Sequence, residues 1–190
     1  MSTPPKQIFL DSPIYPTRLH ERLGADAPPE LTALGNLDLL ALPKTALFCS
    51  ARCPGRVILP TYDQAAKWRD TGRCVISGFH SPVERECLHI LLRGDAPVIL
   101  CPARGMLLRL PAQWAITVAS GRMLILSAFA ATANRVTAGL ATRRNDLVAA
   151  LADEVFIAHI TIGGQLEQLA KRLQAQGVSI IAPPSVANER

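Results

Sequence analysis

The sequence predicts an α/β protein whose doubly wound, mostly parallel sheet contains about five to six strands. From residue 45 onward, short apolar runs alternate with segments of helical pattern, which is typical of βαβ units around a sheet buried on both faces. Capping residues, prolines and glycines stand where the helices should begin and end. The 190 residues, 49% hydrophobic and 18% charged, are enough for one domain with a substantial core.

Residues 1–44 differ from the rest because they carry seven of the 15 prolines. We therefore expect an irregular N-terminal arm. Inside it, the pattern indicates a short helix around residues 15–23 and an extended stretch near 30–34. The arm should precede a single α/β domain over 45–182, and residues 183–190 should form a C-terminal tail.

The apolar runs after the arm are predicted to be strands, because they are too short for buried helices and rich in aliphatic residues. The six predicted strands are 45–49, 73–77, 97–101, 123–127, 154–160 and 178–181. The segments between them are predicted to be helices at 57–70, 82–92, 144–151 and 165–176, with a helical turn near 111–114.

Specific residues predict where two of these helices begin and end. Ser81-Pro82-Val83-Glu84 has the pattern of a capping box with proline at the first helical position, so one helix should begin there. Gly177 follows the last helix, as expected of a helix C-terminus. That helix carries one apolar stripe, made of Leu166, Leu169, Ala170 and Leu173.

The net charge of +5 comes from arginine, since 16 arginines stand beside four lysines. The planar guanidinium binds phosphate with two parallel hydrogen bonds, so the charge permits a nucleic-acid partner. The codon usage of a GC-rich genome explains the same excess equally well. No apolar run approaches the roughly 18 residues of a membrane span, and the N-terminus has no signal-peptide pattern. We expect a cytoplasmic protein.

The five cysteines, at 49, 53, 74, 87 and 101, show no pairing pattern. Most lie inside apolar runs, where free cysteines behave as small buried hydrophobes in a reducing compartment. Neither Cys49 with Cys53 nor Cys87 with His89 has the spacing of a metal site. We expect no metal and no cofactor.

Candidate binding residues lie immediately after the predicted strands or beside helix starts. In an open parallel sheet, ligands bind beyond the carboxyl ends of the strands, and glycines and helix N-termini there suit phosphate. Tight turns explain the glycines equally well, whereas two adjacent arginines near a helix start are unfavourable unless they meet an anion. The candidates are Ser50, Arg52, Ser77, Gly78, Phe79, His80, Arg143, Arg144, Asn145, Gly163 and Gly164.

The search for catalytic motifs finds no nucleophile elbow, Walker phosphate loop, Gly-x-Gly-x-x-Gly or His-Glu-x-x-His. The capping box accounts for Glu84, and the loops after the strands contain no pair of carboxylates for acid–base catalysis. The sequence therefore favours binding over turnover, and we expect no enzymatic activity.

Several short motifs occur in the order and spacing of a known family. They are Tyr15-Pro16, Leu34-Gly35-Asn36, Ser77-Gly78-Phe79, Arg144-Asn145 and Gly163-Gly164. On these motifs most of the chain resembles the DNA-processing protein A (DprA/Smf) family, within the Rossmann-like SLOG superfamily. The resemblance implies a Rossmann-like fold, single-stranded DNA bound at the C-terminal edge of the sheet, a homo-oligomer, and delivery of DNA to a RecA-type recombinase.

Carried over by position, the resemblance implies DNA contacts from four pairs of residues. They are Ser50 and Arg52, Ser77 and Gly78, Arg144 and Asn145, and Gly163 and Gly164. Phe79 would be the aromatic side chain on which a base stacks, an interaction typically worth ~1–3 kcal/mol.

Two alternatives keep the fold and change the ligand. The first is a small-nucleotide sensor of SLOG type, which a single crevice with one or two arginines would suit. A DNA strand would instead need a continuous basic track formed by Arg18, Arg22, Arg56, Arg104 and Arg109. The second, less favoured, is a nucleotide phosphoribohydrolase, whose Pro-Gly-Gly-x-Gly-Thr-x-x-Glu motif is incomplete around Gly163-Gly164.

Overall fold

The structure is a computed structural model that describes residues 4–107 and 109–183. This part of the chain forms a mixed sheet with helices on both faces. Its strands are β1 (Lys6–Phe9), β2 (Glu30–Gly35), β3 (Lys44–Phe48), β4 (Cys74–Ser77), β5 (Val98–Leu100), β6 (Met123–Ser127), β7 (Glu154–Ile157) and β8 (Ile180–Ile181). Its α-helices are α1 (Thr17–Leu23), α2 (Gly55–Thr71), α3 (Pro82–Leu92), α4 (Ala112–Ala119), α5 (Ala138–Leu151) and α6 (Gln165–Ala175).

The sheet is predominantly parallel and doubly wound, which confirms the predicted fold class. The strand order is β1-β2-β6-β5-β4-β3-β7-β8, and the strands from β6 to β8 pair in parallel. These six strands are the six predicted from the apolar runs. The chain moves outward from β3 through β4 and β5 to β6, then returns through α5 to β7 on the other side of β3. The winding therefore reverses between β3 and β7.

The predicted count of five to six strands is wrong, because β1 and β2 extend the sheet to eight. The segment predicted to be an irregular arm supplies both strands, and β2 pairs antiparallel with β6. The exposure pattern explains the omission, since Ile8 is the one buried residue of β1. Gly35 ends β2 with φ +114°, and a Cβ there would lie 2.1 Å from the Met123 carbonyl oxygen, so only glycine permits this close approach.

The core lies on both faces of the sheet, because successive strand residues point to opposite sides. Ala46 and Phe48 pack with α5 and α6 on one face, and Leu47 packs with α2 and α3 on the other. All five residues of β3 are buried, as expected of a central strand.

The helices differ from the predictions mainly at α4 and α5. The capping box at Ser81 is present, with the Ser81 Oγ accepting the Glu84 N–H and the Glu84 side chain accepting the Ser81 N–H. Where a turn near 111–114 was predicted, α4 continues to Ala119. Helix α5 begins at Ala138, six residues before the predicted start, because Thr137 caps it by accepting the Leu140 N–H at 3.2 Å. Arg144 therefore lies in the second turn of α5.

Among the helices of residues 4–107 and 109–183, none is long and apolar enough to cross a membrane. Of the predicted tail, residues 184–190 lie outside the described residues.

Candidate functional site

A crevice of about 400 Å³ opens at the carboxyl end of the sheet, where the winding reverses. The loops after β3 and β7 form two of its walls, and the first turns of α3 and α6 and the second turn of α5 complete it. A ligand crevice at this reversal is the general rule for open α/β sheets. Of the eleven predicted site residues, six line the crevice: Ser50, Arg52, His80, Arg144, Asn145 and Gly164.

Hydrogen bonds tie the loop after β3 to the loop after β7. The Ser50 N–H donates to the His159 carbonyl at 3.0 Å, and the Ser50 hydroxyl oxygen accepts the Thr161 N–H at 2.9 Å. The Thr161 hydroxyl donates to the Arg52 carbonyl at 3.4 Å. Ser50 therefore acts as a structural link between the two walls, and the crevice is preformed.

Glu84 organises the opposite wall through three backbone N–H groups. Its Oε1 accepts the Cys49 N–H at 2.8 Å, and its Oε2 accepts the His80 and Ser81 N–H groups at 2.8 and 3.2 Å. The side chain is 5% exposed. Beyond its role in the capping box, Glu84 thus fastens the exit of β3 to the start of α3.

Arg144 forms the floor of the crevice, with 5% of its surface exposed. Its Nε donates to the Asn145 Oδ1 at 2.8 Å and its Nη1 to the Cys101 carbonyl at 3.4 Å. Every fully buried side-chain nitrogen or oxygen of the described residues has a hydrogen-bond partner. Nη2 has none and is therefore not fully buried.

Gly78 is required by Arg144, because a Cβ at this position would lie 1.4 Å from the Arg144 Nη1. Burial lowers the pKa of the Arg144 guanidinium, and the nearby Glu84 carboxylate partly opposes the shift. Within the described residues no carboxylate forms an ion pair with Arg144. A buried guanidinium without an ionic partner is a strong site for a phosphate oxygen.

The first turn of α6 adds further anion-binding groups. The helix begins after Gly164 without a side-chain cap, so its first N–H groups have no partner within the helix. Gly164, Gln165 and Leu166 line the crevice, and the exposed Arg52 stands at its rim. Helix N-terminus and arginines together favour a phosphate group.

The predicted roles of Ser77 and Phe79 are wrong, because both residues are buried. The Ser77 hydroxyl donates to the Leu47 carbonyl at 2.7 Å and accepts the Phe79 N–H at 3.1 Å. Phe79 takes a left-handed backbone conformation with φ 45° and turns into the core, 4% exposed. It therefore presents no face on which a base can stack.

The turn after β6 repeats the one after β4. The Ser127 hydroxyl donates to the Arg104 carbonyl at 2.7 Å and accepts the Phe129 N–H at 3.2 Å. The guanidinium of Arg143 lies over the Phe129 ring, 5.9 Å from its centroid. Both residues line a larger cavity of about 560 Å³ on the other side of α5. The two adjacent arginines thus face different cavities, and Arg143 does not line the crevice.

The arginines of the two sheet edges differ in their ionic partners. The five loops that follow β3 to β7 contain no Asp or Glu. These loops carry Arg52, Arg104, Arg109 and Arg135, the first turn of α2 carries Arg56, and the second turn of α5 carries Arg143 and Arg144. The first turns of α3 and α6 carry the acidic residues Glu84 and Glu167. No ion pair joins any of these seven arginines to a carboxylate of residues 4–107 and 109–183.

At the opposite edge, three arginines are paired: Arg73 and Arg122, which directly precede β4 and β6, and Arg93, which follows the end of α3. Arg73 binds Glu154 at 2.9 Å, Arg93 binds Glu86 at 3.7 Å, and Arg122 binds Asp95 at 3.8 Å. The unpaired positive charge is therefore concentrated at the carboxyl edge, where the crevice opens.

Two arginines of the predicted basic track lie elsewhere. Arg18 pairs with Asp153 at 2.6 Å at the opposite edge, and Arg22 donates to the carbonyls of Ala149, Ala150 and Ala152 at the end of α5. Both stabilise α1 against α5. Arg135, which the sequence analysis missed, lies at the carboxyl edge instead.

Sequence reasoning also missed Thr161 and Gln165, which complete the crevice. The Gln165 side-chain amide donates to the Ala138 carbonyl at 3.2 Å and so joins α6 to the start of α5. Their position immediately after a strand was the available signal. Gly163 adopts φ 76° in the loop after β7 and lies beside the crevice without lining it.

Solved structures share this fold. DNA processing protein A (DprA) from Streptococcus pneumoniae matches with a TM-score of 0.78 and 21% identity, over 96% of this chain and 64% of that one. DprA from Helicobacter pylori, whose structure is described as showing a unique single-stranded DNA binding mode, matches with a TM-score of 0.75 and 21% identity, over 100% and 86% of the two chains. The molybdenum cofactor binding protein from Rippkaea orientalis matches with a TM-score of 0.51 and 14% identity, over 74% and 75%.

A search of the curated proteins finds no match. The chain spans just under two thirds of the Streptococcus pneumoniae protein. The model of one protein family, DNA recombination-mediator protein A, matches residues 6–188. With nearly its whole length matched, the chain belongs to the DNA recombination-mediator protein A family.

Proposed function

We propose that this protein binds single-stranded DNA along the carboxyl edge of its sheet, with one phosphate seated in the crevice. The observation that carries the proposal is the concentration of unpaired arginines at this edge, while Arg73, Arg93 and Arg122 at the other edge are paired. Free guanidinium groups beside acid-free loops attract a polyanion. The description of the related Helicobacter pylori structure supports single-stranded DNA as that polyanion.

The dimensions of the edge favour a strand over a single nucleotide. Five parallel strands, from β6 to β7, end there, and with neighbouring strands about 4.8 Å apart the edge is about 19 Å long. At the roughly 3.4 Å spacing of phosphates along one stacked strand, this length matches about six phosphates. A mononucleotide would occupy the crevice and leave the outer arginines unused.

The crevice provides the most strongly prepared phosphate site on that edge. Arg144 offers Nη2 from the floor, α6 offers its first N–H groups, and Arg52 stands at the rim. Since Arg144 is fixed by Asn145 and Cys101 before any ligand arrives, little side-chain entropy is lost on binding.

We propose further that the protein binds without catalysis. Glu84 is the one carboxylate among the residues lining the crevice. Both its oxygens accept backbone N–H groups, so it is a poor candidate for a general base.

Hand-over of the bound strand to a RecA-type recombinase, assembly into a homo-oligomer and a cytoplasmic location complete the proposal. The family's description as a recombination mediator supports the first of these. A pull-down with a RecA-type recombinase, with and without oligonucleotide, tests it; absence of capture in both conditions would contradict it.

The test of DNA binding compares two double variants by fluorescence anisotropy with a labelled oligothymidylate. Arg52→Ala/Arg104→Ala removes two free charges from the carboxyl edge, and Arg73→Ala/Arg93→Ala removes two paired charges from the opposite edge. The first should make the slope of log affinity against log salt shallower by about 1.4, since each single-strand phosphate contact contributes about 0.7. The control should leave the slope unchanged. Equal effects of the two variants would contradict the proposal.

A competing mononucleotide tests the alternative of a small-nucleotide sensor. Saturable binding of the mononucleotide, with no binding of the oligonucleotide, would replace the proposal with that alternative.

A further inference from the structure

The loop after β7 holds an isoleucine almost completely in solvent beside the crevice. Ile162 is 91% exposed, the largest exposure among the large hydrophobic side chains of the described residues. The first and last residues of its turn, Thr161 and Gly164, line the crevice. An apolar side chain therefore projects into solvent between two residues that line a site suited to phosphate.

The turn that carries Ile162 is held rigidly. The Gly164 N–H donates to the Thr161 carbonyl at 3.0 Å, and Gly163 has φ 76°, which is the pattern of a type II turn with Ile162 at its second position. The Gly163 N–H also donates to the Glu167 carboxylate, and Thr161 is bonded to Ser50. Ile162 is thus displayed from a fixed support, so a contact made there loses little conformational entropy.

The neighbouring charges define what such a contact would be. A nucleotide whose phosphate meets Arg144 and the N-terminus of α6 carries its base one sugar away from that phosphate. Every base has an apolar face, and contact with it is independent of salt, unlike the phosphate contacts. Phe79, the aromatic residue expected to serve this purpose, is buried in the core.

We propose that Ile162 is the base-contacting residue of the crevice, packing on the face of the nucleotide whose phosphate binds there. The inference rests on the proposed single-stranded DNA binding. It assigns to this turn the part of the affinity that comes from bases, while the arginines supply the part that comes from phosphates.

The test uses two oligonucleotides of equal length, oligothymidylate and an abasic deoxyribose-phosphate chain, at one salt concentration. Ile162→Ala should weaken oligothymidylate binding about fivefold, as expected when one to two buried methylene groups are lost. It should leave the abasic chain unaffected. Ile162→Phe, with a larger flat face, should bind oligothymidylate more tightly than wild type and the abasic chain equally well.

Ile116→Ala is the matched control, because Ile116 is also highly exposed, at 68%, but lies on α4. It should change neither affinity. Equal weakening of both oligonucleotides by Ile162→Ala, or no change in either, would overturn the inference while leaving the proposed function standing. If the wild-type protein binds neither oligonucleotide, the proposed function fails, and the inference with it.

Discussion

The packing of Gly78 against Arg144 leads to a prediction that couples stability to binding. In Gly78→Ala, the new Cβ would lie 1.4 Å from the Arg144 Nη1 and 2.0 Å from its Cζ. An ordinary contact begins near 3.4 Å, so the guanidinium must move by about 2 Å. Since Arg144 is 5% exposed, it cannot swing into solvent without leaving its hydrogen bond to the Cys101 carbonyl.

The expected loss of stability follows from that lost hydrogen bond. A hydrogen bond to a charged group contributes about 2 kcal/mol. For a chain of this size, that loss corresponds to a fall in Tm of roughly 4–8 °C. A displaced guanidinium also misses the phosphate, and we expect affinity for oligothymidylate to fall about tenfold, equivalent to about 1.4 kcal/mol.

Thermal unfolding and fluorescence anisotropy measure the two effects. Gly139→Ala is the control, since a Cβ at Gly139 meets no atom within 4 Å; it should leave affinity unchanged and raise stability slightly, as alanine does inside a helix. A double-mutant cycle with Arg144→Ala completes the test, because Gly78→Ala should add little once the guanidinium is gone. Wild-type Tm and affinity in Gly78→Ala would refute the reasoning.

Three further predictions concern stability and reactivity. Arg22→Ala should lower Tm, because the carbonyls at the end of α5 lose their hydrogen-bond donor. A change in the salt dependence of DNA binding in this variant would contradict the structural role of Arg22. Burial alone would raise the pKa of Asp153, but hydrogen bonds from the Lys44 N–H and Arg18 outweigh it and lower that pKa. The stability that Asp153 contributes is therefore present above its ordinary pKa of 3.8 and should be lost as pH falls below that value. Urea titrations at several pH values should show this loss in the wild type and not in Asp153→Asn. In alkylation followed by mass spectrometry, the half-buried Cys53 should react first. Burial raises the thiol pKa of the other four cysteines and blocks access to them. Early labelling of any buried cysteine would contradict this prediction. The buried cysteines are Cys49, Cys74, Cys87 and Cys101.

The parallel part of the fold was predictable because each strand is a short, continuous apolar run. Strands buried on both faces, such as β3, leave that signal directly in the sequence. The edge strand β1 leaves almost none, since one of its four residues is buried. Its pairing with β2 depends on contacts distant in sequence, which local pattern does not contain.

The position of the crevice was predictable for a similar reason, since it follows from where strands end. The roles of its residues were less so. From its position after a strand, Phe79 was expected to be an exposed aromatic residue of a loop. Its left-handed backbone conformation turns the side chain into the core. Arg144 reads as a residue at a helix start, because the Thr137 cap and the two α5 residues before Leu140 resemble a loop.

The separation of unpaired arginines at one edge of the sheet from paired arginines at the other could not be predicted from the sequence. Arg73 and Arg104 are both arginines beside strands, and only the fold places a carboxylate against the first and none against the second. The count of charged residues therefore gave the net charge, whereas the edge of the sheet at which the unpaired charge lies could be learned only from the structure.

The central claim, that a DNA strand follows the carboxyl edge, is tested most directly by the salt dependence of oligothymidylate binding to the wild-type protein. About six phosphates in contact predict a slope of log affinity against log salt of about −4.2. The slope should become steeper with oligonucleotide length until the edge is filled and then remain constant. A slope near −0.7 that does not change with length would mean a single phosphate in the crevice, and would contradict the account.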